Sequence, residues 1–147
     1  MKIIKELTIL LISILYITVG LNHFIKPNFF LEIVPPIIPF KLEVVLISGF
    51  FEIILGVLLL FKKTRKLASL LIIVLLVVVF PANIYLYLSE TPRLSLNITK
   101  SQALFRMPFQ LSLIIISYWH SRDDNSKTFS IISIILFIPT IIYFITL

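Results

Sequence analysis

Five long runs of apolar residues alternate with short polar segments along this chain. The runs extend from about Glu6 to Ile25, Leu42 to Phe61, Leu67 to Leu88, Ala103 to His120 and Phe129 to Leu147. Each is close to the roughly 20 residues that a helix needs to cross the core of a bilayer. Isoleucine and valine are frequent in them, but a single segment in lipid can satisfy its own backbone only as a helix. The pattern therefore predicts an all-α membrane protein with five transmembrane helices.

The composition agrees with a lipid environment and narrows the chemistry. Of 147 residues, 59% are hydrophobic, which leaves too few polar residues to cover a water-soluble domain of this size. The chain has no cysteine, which excludes a thiol relay, a thiolate metal site or an internal disulfide. The net charge of +6 comes from basic residues in short segments between the runs. We interpret them as topology signals and expect no nucleic-acid partner.

Lysine and arginine are distributed unevenly between the two sides of the predicted membrane. With a cytoplasmic N-terminus, eight of the 13 lie inside: Lys2, Lys5, Lys62, Lys63, Arg65, Lys66, Arg122 and Lys127. The other five lie outside or in the outer half: Lys26, Lys41, Arg93, Lys100 and Arg106. Cytoplasmic loops are enriched in these residues, so the pattern predicts a multi-pass plasma-membrane protein with its N-terminus in the cytoplasm. Five spans place the C-terminus outside.

The first outer segment, from Lys26 to Lys41, is apolar but contains four prolines. It cannot form a spanning helix, because proline lacks a backbone N–H and breaks helix interiors. Pro27 is expected to start a short helix that runs to Val34 and ends at the following two prolines. Two interpretations of this segment stay open. Its phenylalanines form an aromatic belt at the membrane interface, or the segment is a lid over a cavity between the helices.

Glu52 lies near the centre of the second run, where a carboxylate costs at least ~2.5 kcal/mol on insertion scales. Gly49 and Gly56 are three residues before it and four residues after it, so the three residues share one helix face. Small residues allow a neighbouring helix to approach closely. We therefore expect Glu52 to face protein rather than lipid.

Further polar residues in the runs cluster toward the outer half of the predicted membrane. The candidates for a ligand-binding site or a polar core are Glu52, Arg106, His23, Asn22, Asn83 and Gln110. Glu52 and Arg106 are expected to form a bidentate ion pair, which would remove two isolated charges. The alternative to a ligand site is a polar lock that holds the helices in register. For Asn83, the structural interpretation is that its amide satisfies backbone groups freed by Pro81.

The order and spacing of several motifs resemble the DoxX family of small membrane proteins. They are Gly20-Leu21-Asn22-His23-Phe24, Ile33-Val34-Pro35-Pro36, Ser48-Gly49-x-x-Glu52-x-x-x-Gly56, Phe80-Pro81-Ala82-Asn83-Ile84-Tyr85 and Arg106-Met107-Pro108-Phe109-Gln110. The resemblance implies an antiparallel four-helix transmembrane bundle for residues 1–122. Residues 123–147 would add a loop and a fifth transmembrane helix, which we expect to be dispensable for the fold. No catalytic residue can be transferred from the family.

Three functions stay open at this point. The resemblance implies a quinone-linked membrane subunit of a redox complex, which would need a soluble redox partner because the chain shows no redox centre of its own. The second is a module that binds or transports a small amphiphile in a pocket between helices. The third is a membrane scaffold whose polar cluster is only structural. The sequence indicates no metal site, leaves open whether the protein is an enzyme, and allows a homo-oligomer.

Overall fold

The computed structural model describes residues 1–146, and every regular element in that range is a helix. The seven helices are α1 (Lys2–Ile25), α2 (Pro27–Ile33), α3 (Lys41–Leu59), α4 (Lys62–Leu88), α5 (Glu90–Ser95), α6 (Lys100–Ser121) and α7 (Lys127–Thr146). Five of them correspond to the five apolar runs. The two short helices, α2 and α5, lie in the segments predicted to be outer loops.

Four of the long helices, α1, α3, α4 and α7, are long and apolar enough to cross a membrane. The prediction of five such helices is therefore met only in part. The run from Ala103 to His120 does form a helix, α6, but it is not among the four. Polar side chains such as Arg106, Gln110 and His120 lower its hydropathy below that of the others.

Helices α1 and α3 pack against each other in opposite directions, and their glycines allow the close approach. A Cβ atom on Gly20 would lie 2.7 Å from the carbonyl oxygen of Gly49, and one on Gly56 would lie 3.0 Å from that of Ser13. Both distances are to backbone, which cannot move aside as a side chain can. The expectation that the glycines beside Glu52 face a neighbouring helix is thus met, and the neighbour is α1.

Basic residues from three helices meet at one end of the molecule, which we call the basic end (Lys2, Lys5, Lys62, Lys63, Arg65, Lys66 and Arg122). The guanidinium of Arg65 forms a bidentate pair with Glu6, with N–O distances of 2.8 and 3.0 Å. The Lys5 ammonium donates to the backbone carbonyl of Arg122. These contacts place the first residues of α1, the start of α4 and the end of α6 together. The opposite end carries α2 and α5, and we call it the proline end.

Helix α7 packs against α6 and also contacts α1. The indole Nε1 of Trp119 donates to Ser130 at 3.2 Å, and the rings of Phe109 and Tyr143 stack with centroids 4.2 Å apart. Phe137 is buried in the same core as residues of α1, α3, α4 and α6. These contacts weigh against the expectation that α7 is dispensable for the fold, which stays a prediction for a deletion experiment.

Helix α2 begins at Pro27, as predicted, and ends one residue before the predicted Val34. It contacts α1, α3, α4 and α5. The ring of Phe30 stacks on the imidazole of His23, with centroids 3.5 Å apart. Ile33 is buried, whereas Phe40 in the following segment is 74% exposed. Helix α2 thus covers the interior at the proline end with Phe30 turned inward, whereas Phe40 faces outward, so the lid and the interfacial belt both stay predictions.

Candidate functional site

A cavity of about 590 Å³ lies between the helices, beneath α2. Most of its lining side chains are apolar, and they come from α1, α2, α3, α4, α6 and α7. Its wall includes residues that also face outward: Val44, Ile47 and Phe51 of α3 and Val74 and Val78 of α4. These five side chains are between 40% and 66% exposed. The cavity therefore reaches the outer surface of the molecule between α3 and α4, and we call this gap the lateral opening.

Five of the six candidate residues line this cavity: Glu52, Arg106, His23, Asn83 and Gln110. They come from four helices that are far apart in sequence. The sixth, Asn22, is exposed and does not contribute to the wall. Adjacent residues of a helix point about 100° apart, so Asn22 turns outward while His23 turns inward. Its inclusion in the cluster is thus corrected by the structure.

Three of these residues form a hydrogen-bonded chain between α4 and α6, which we call the amide relay (Arg106, Asn83 and Gln110). Arg106 Nε donates to Asn83 Oδ1 at 3.2 Å, and Asn83 Nδ2 donates to Gln110 Oε1. Gln110 Nε2 then donates to the backbone carbonyl of Leu76 at 2.8 Å. The relay ties α4 to α6 in the part of α4 that contains Pro81. Gln110, rather than Asn83, is the residue that reaches the α4 backbone.

Arg106 does not form the predicted ion pair with Glu52. Its guanidinium lies over the ring of Phe29, 5.3 Å from the centroid, in addition to its bond with Asn83. No salt bridge joins Arg106 to any carboxylate within residues 1–146. Arg106 extends toward α2 and α4, whereas Glu52 faces α1, so the two charged groups lie on different parts of the cavity wall. The sequence placed both on the same cavity but could not give the direction of either side chain.

The neighbour of Glu52 is His23 on α1, whose Nδ1 lies 3.4 Å from Glu52 Oε2. The same Nδ1 lies 2.9 Å from the carbonyl oxygen of Val19. A carbonyl oxygen only accepts hydrogen bonds, so Nδ1 must carry a proton and donate it there. The proton points to the Val19 carbonyl, which is the shorter contact, and Glu52 Oε2 has no hydrogen-bond partner in the part of the chain that the structure describes.

Tyr16 is the residue that sequence reasoning underestimated. It lines the cavity and is only 6% exposed, yet its hydroxyl group has no hydrogen-bond partner among residues 1–146. Gly20 packs on Gly49 and Gly56 packs on Ser13, so Tyr16 and Glu52 lie at the same level between these two contacts. The available signal was position, because Tyr16 is seven residues before His23 and so on the same face of α1.

The polar groups of the cavity therefore form two different arrangements. In the amide relay, the donors and acceptors are paired with one another. In the second, which we call the Glu52 pole (Glu52, Tyr16 and His23), two buried oxygen atoms have no partner. Buried polar groups are nearly always hydrogen-bonded, so unpaired ones in a cavity indicate that a ligand or water completes them. Within residues 1–146, no group of three His, Asp or Glu side chains could hold a metal ion.

The fold and cavity define an all-helical protein with an internal, largely apolar cavity that opens sideways between two helices. The chain belongs to the family described as Domain of unknown function (DUF8561), whose sequence model matches residues 12–121. The resemblance to the DoxX family is therefore wrong, since the short motifs that carried it occur here in another family. No curated protein and no solved structure matches the chain.

Proposed function

We propose that this chain is an integral membrane protein that binds a small amphiphile in its cavity. The observation that carries the proposal is the pair of unpartnered, buried oxygen atoms of Tyr16 and Glu52 on the wall of an apolar cavity. The polar head of the ligand would hydrogen-bond to these atoms. Its apolar body would lie along the valine and leucine side chains of α3 and α4. Pockets with apolar walls and a few convergent polar groups are typical ligand sites.

The membrane part of the proposal is supported by the outer surface as well as by helix length. Large apolar side chains cover the outward faces of the long helices, such as Val78 at 66% exposed, Ile135 at 63% and Ile142 at 57%. Soluble monomers rarely expose such continuous apolar surface. We include α6 as a fifth membrane-crossing helix, because α4 and α7, both long enough to span, pack along it. Its polar side chains in the amide relay then face protein.

The orientation that we propose places the basic end in the cytoplasm of a cell whose plasma membrane the chain crosses. Lys5, Arg65 and Arg122 lie together at that end, which fits the expectation that they share one side. Lys63 and Ser95 are both exposed and lie at opposite ends. In this cysteine-free chain, an impermeant thiol reagent added to intact cells should label Ser95→Cys but not Lys63→Cys. Labelling of Lys63→Cys alone would invert the orientation.

An amphiphile in the membrane would enter through the lateral opening without passing through water. The lining there is apolar, from residues such as Val74 and Phe51, and the Glu52 pole lies further inside. This arrangement supports binding more directly than a scaffold role does. A pure polar lock would pair its polar groups internally, as the amide relay does, and would leave no unpartnered oxygen in a cavity. The redox-subunit hypothesis rested on the DoxX resemblance and loses that support.

The test is extraction of the purified protein and mass spectrometry of the amphiphiles that it retains in mild detergent. Wild type should retain one or a few species above the background of membrane lipid. Val74→Trp should remove them, because the larger side chain would fill the lateral opening. Val77→Trp is the matched control: Val77 is 58% exposed on the same helix but does not line the cavity.

The outcomes separate the hypotheses. Retention of a quinone, which is itself an amphiphile with a polar ring and an apolar chain, would restore a redox role for the cavity. Retention of another amphiphile would support a binding or transport module. If wild type and both tryptophan variants carry the same lipid background, the cavity binds nothing and the scaffold hypothesis stands.

A further inference from the structure

The carboxyl group of Glu52 is an isolated ionisable group in the interior. Glu52 is 9% exposed, and its Oε2 atom is buried without a hydrogen-bond partner among the described residues. Its nearest polar neighbour is His23 Nδ1 at 3.4 Å, whose proton is directed to Val19. When the imidazole is neutral and held in this tautomer, it supplies no positive charge to Glu52; only the form protonated on both nitrogens would.

No lysine or arginine supplies the missing charge either. Among residues 1–146, none lies within 4.0 Å of the Glu52 carboxylate. Arg106 is the one basic side chain other than His23 on the cavity wall of the described chain, and it bonds to Asn83 and lies over Phe29. At the basic end, Lys5 donates to the backbone of Arg122, Arg65 pairs with Glu6, and the Arg122 guanidinium lies beside Asp124. The described residues thus contain a buried carboxyl group with no lysine or arginine placed to pair with it, and His23 would pair with it only if both ring nitrogens carried a proton.

A charged group in apolar surroundings needs a partner of opposite charge together with hydrogen bonds. A protonated amine meets both needs, because it carries a positive charge and three N–H donors. The oxygen atoms without partners, Glu52 Oε2 and the hydroxyl of Tyr16, can both accept from such donors. They lie at the same level of the α1–α3 contact and line the same cavity.

We infer that the amphiphile bound here has a cationic amine head group, which pairs with Glu52 and donates to Tyr16, while its apolar chain lies toward the lateral opening. This inference rests on the proposed function, because it assigns the head group of the same ligand. The competing assignment is a head group with a carbonyl oxygen, such as a quinone or ketone. That head group would accept hydrogen bonds from Tyr16 and from a protonated Glu52. The two assignments predict opposite preferences for ligands with the same chain.

The test measures the affinity of four probes with matched apolar chains: decylamine, decanol, decanoic acid and 2-undecanone. The full chain is placed in nanodiscs of zwitterionic lipid near pH 7, where an alkylamine is protonated. Displacement of tritiated decylamine is measured, and binding to empty nanodiscs is subtracted. Decylamine should bind about ten-fold or more tightly than decanol, because hydrogen bonds between ions are roughly twice as strong as neutral ones. Decanoic acid should bind least, since its carboxylate would meet that of Glu52.

Glu52→Gln should remove the preference for decylamine while decanol binds as before, because glutamine keeps the shape but not the charge. Glu43→Gln is the matched control, since Glu43 is an exposed carboxylate on the same helix and does not line the cavity. It should keep the wild-type preference. Tyr16→Phe should weaken decylamine several-fold without changing the order of the probes, because it removes one acceptor and no charge.

The wild-type series alone can overturn the inference, even where Glu52→Gln does not fold. Tighter binding of 2-undecanone than of decylamine would assign a carbonyl head group instead. Equal binding of all four probes would reject any head-group selection, while the proposed amphiphile site would stand. If none of the probes displaces another or binds above empty nanodiscs, the proposed function itself is wrong.

Discussion

Helix α3 has two faces that differ in how closely they approach the neighbouring helix. Toward α1 it presents Gly49 and Gly56, and the backbones approach so closely that a methyl group on either glycine would meet atoms within about 3 Å. Toward α4 it presents Val44, Ile47 and Phe51, which line the lateral opening and remain partly exposed. We call the first the closed face (Gly49 and Gly56), because the two backbones are in close contact there, and the second the open face (Val44, Ile47 and Phe51), because it lines the lateral opening.

The difference explains how a carboxylate can be positioned in an apolar interior without a fixed counter-charge. Glu52 lies between the two glycines in sequence and at the border of the two faces in space. The closed face fixes its position relative to His23 and Tyr16 on α1. The open face admits whatever completes its hydrogen bonds. Substitutions on the closed face should therefore change stability, and those on the open face should change binding.

The largest expected effect is the deletion of residues 127–147, which removes α7 and its contacts with α6 and α1. Trp119 is 1% exposed and donates to Ser130 of α7. A buried donor that loses its acceptor costs about 1–3 kcal/mol, so loss of Ser130 alone would destabilise α6. We expect the truncated protein to insert poorly, or to unfold at a clearly lower temperature in detergent than the full chain.

The deletion removes the contact of α7 with α1 but leaves the contact between α1 and α3 intact. It therefore tests whether the α1–α3 contact is stable without α7. Ser130→Ala serves as the matched, smaller change, since it removes only the acceptor of the Trp119 hydrogen bond. Ser130→Ala should lower the unfolding temperature by less than the deletion lowers it. A truncated protein as stable as the full chain would show that α1 and α3 need no support from α7.

The second prediction concerns Gly49→Ala, a substitution on the closed face of α3. The added methyl group would overlap Cβ of His23 and lie 2.9 Å from the carbonyl oxygen of Gly20, so α1 would have to move. Overpacking of this kind costs about 1–3 kcal/mol. Thermal unfolding in detergent measures the change. Ile47→Ala, two residues away on the open face, should cost less, because Ile47 is 55% exposed and its removal creates no clash.

Sequence patterns predicted the elements that depend on local chemistry. Pro27 fixed the start of α2, and the prolines after Val34 fixed its end within one residue. The spacing of Gly49, Glu52 and Gly56 predicted a close helix contact on that face. These predictions succeeded because proline and glycine act through their own backbone, and helix periodicity then determines which residues share a face.

The cavity could be predicted only in outline. The alternating direction of the helices was enough to predict that Arg106 and Glu52 lie near each other, and both line the cavity. Whether they form an ion pair depends on which neighbour each long side chain reaches. Arg106 contacts Asn83 and Phe29 instead of Glu52. Asn22 was included because it is adjacent to His23 in sequence, and the helix turn separates the two in space. Short motifs gave the wrong family for a similar reason, since glycines, prolines and polar residues at these spacings serve helix packing in general.

The last prediction tests whether backbone atoms limit the approach of α1 at Gly56 as they do at Gly49. In Gly56→Ala, the new methyl group would lie 2.9 Å from Cγ1 of Ile17 and 3.0 Å from the carbonyl oxygen of Ser13. The first neighbour is a side chain that can be shortened, and the second is backbone that can shift only slightly. We expect Gly56→Ala to cost about 1 kcal/mol, at the low end for overpacking.

Adding Ile17→Ala should then recover part of the loss, so that the double variant is more stable than the sum of the two single changes by roughly 0.5 kcal/mol or more. Urea or thermal unfolding in the same detergent measures all three variants. Shortening His23 to alanine should give little recovery at Gly49, because Cβ of residue 23 and the carbonyl oxygen of Gly20 would remain in place. Additive losses at Gly56 would mean that the Ser13 carbonyl carries the clash there too. The two ends of the α1–α3 contact would then be equally rigid, and Glu52 would be fixed by backbone from both sides.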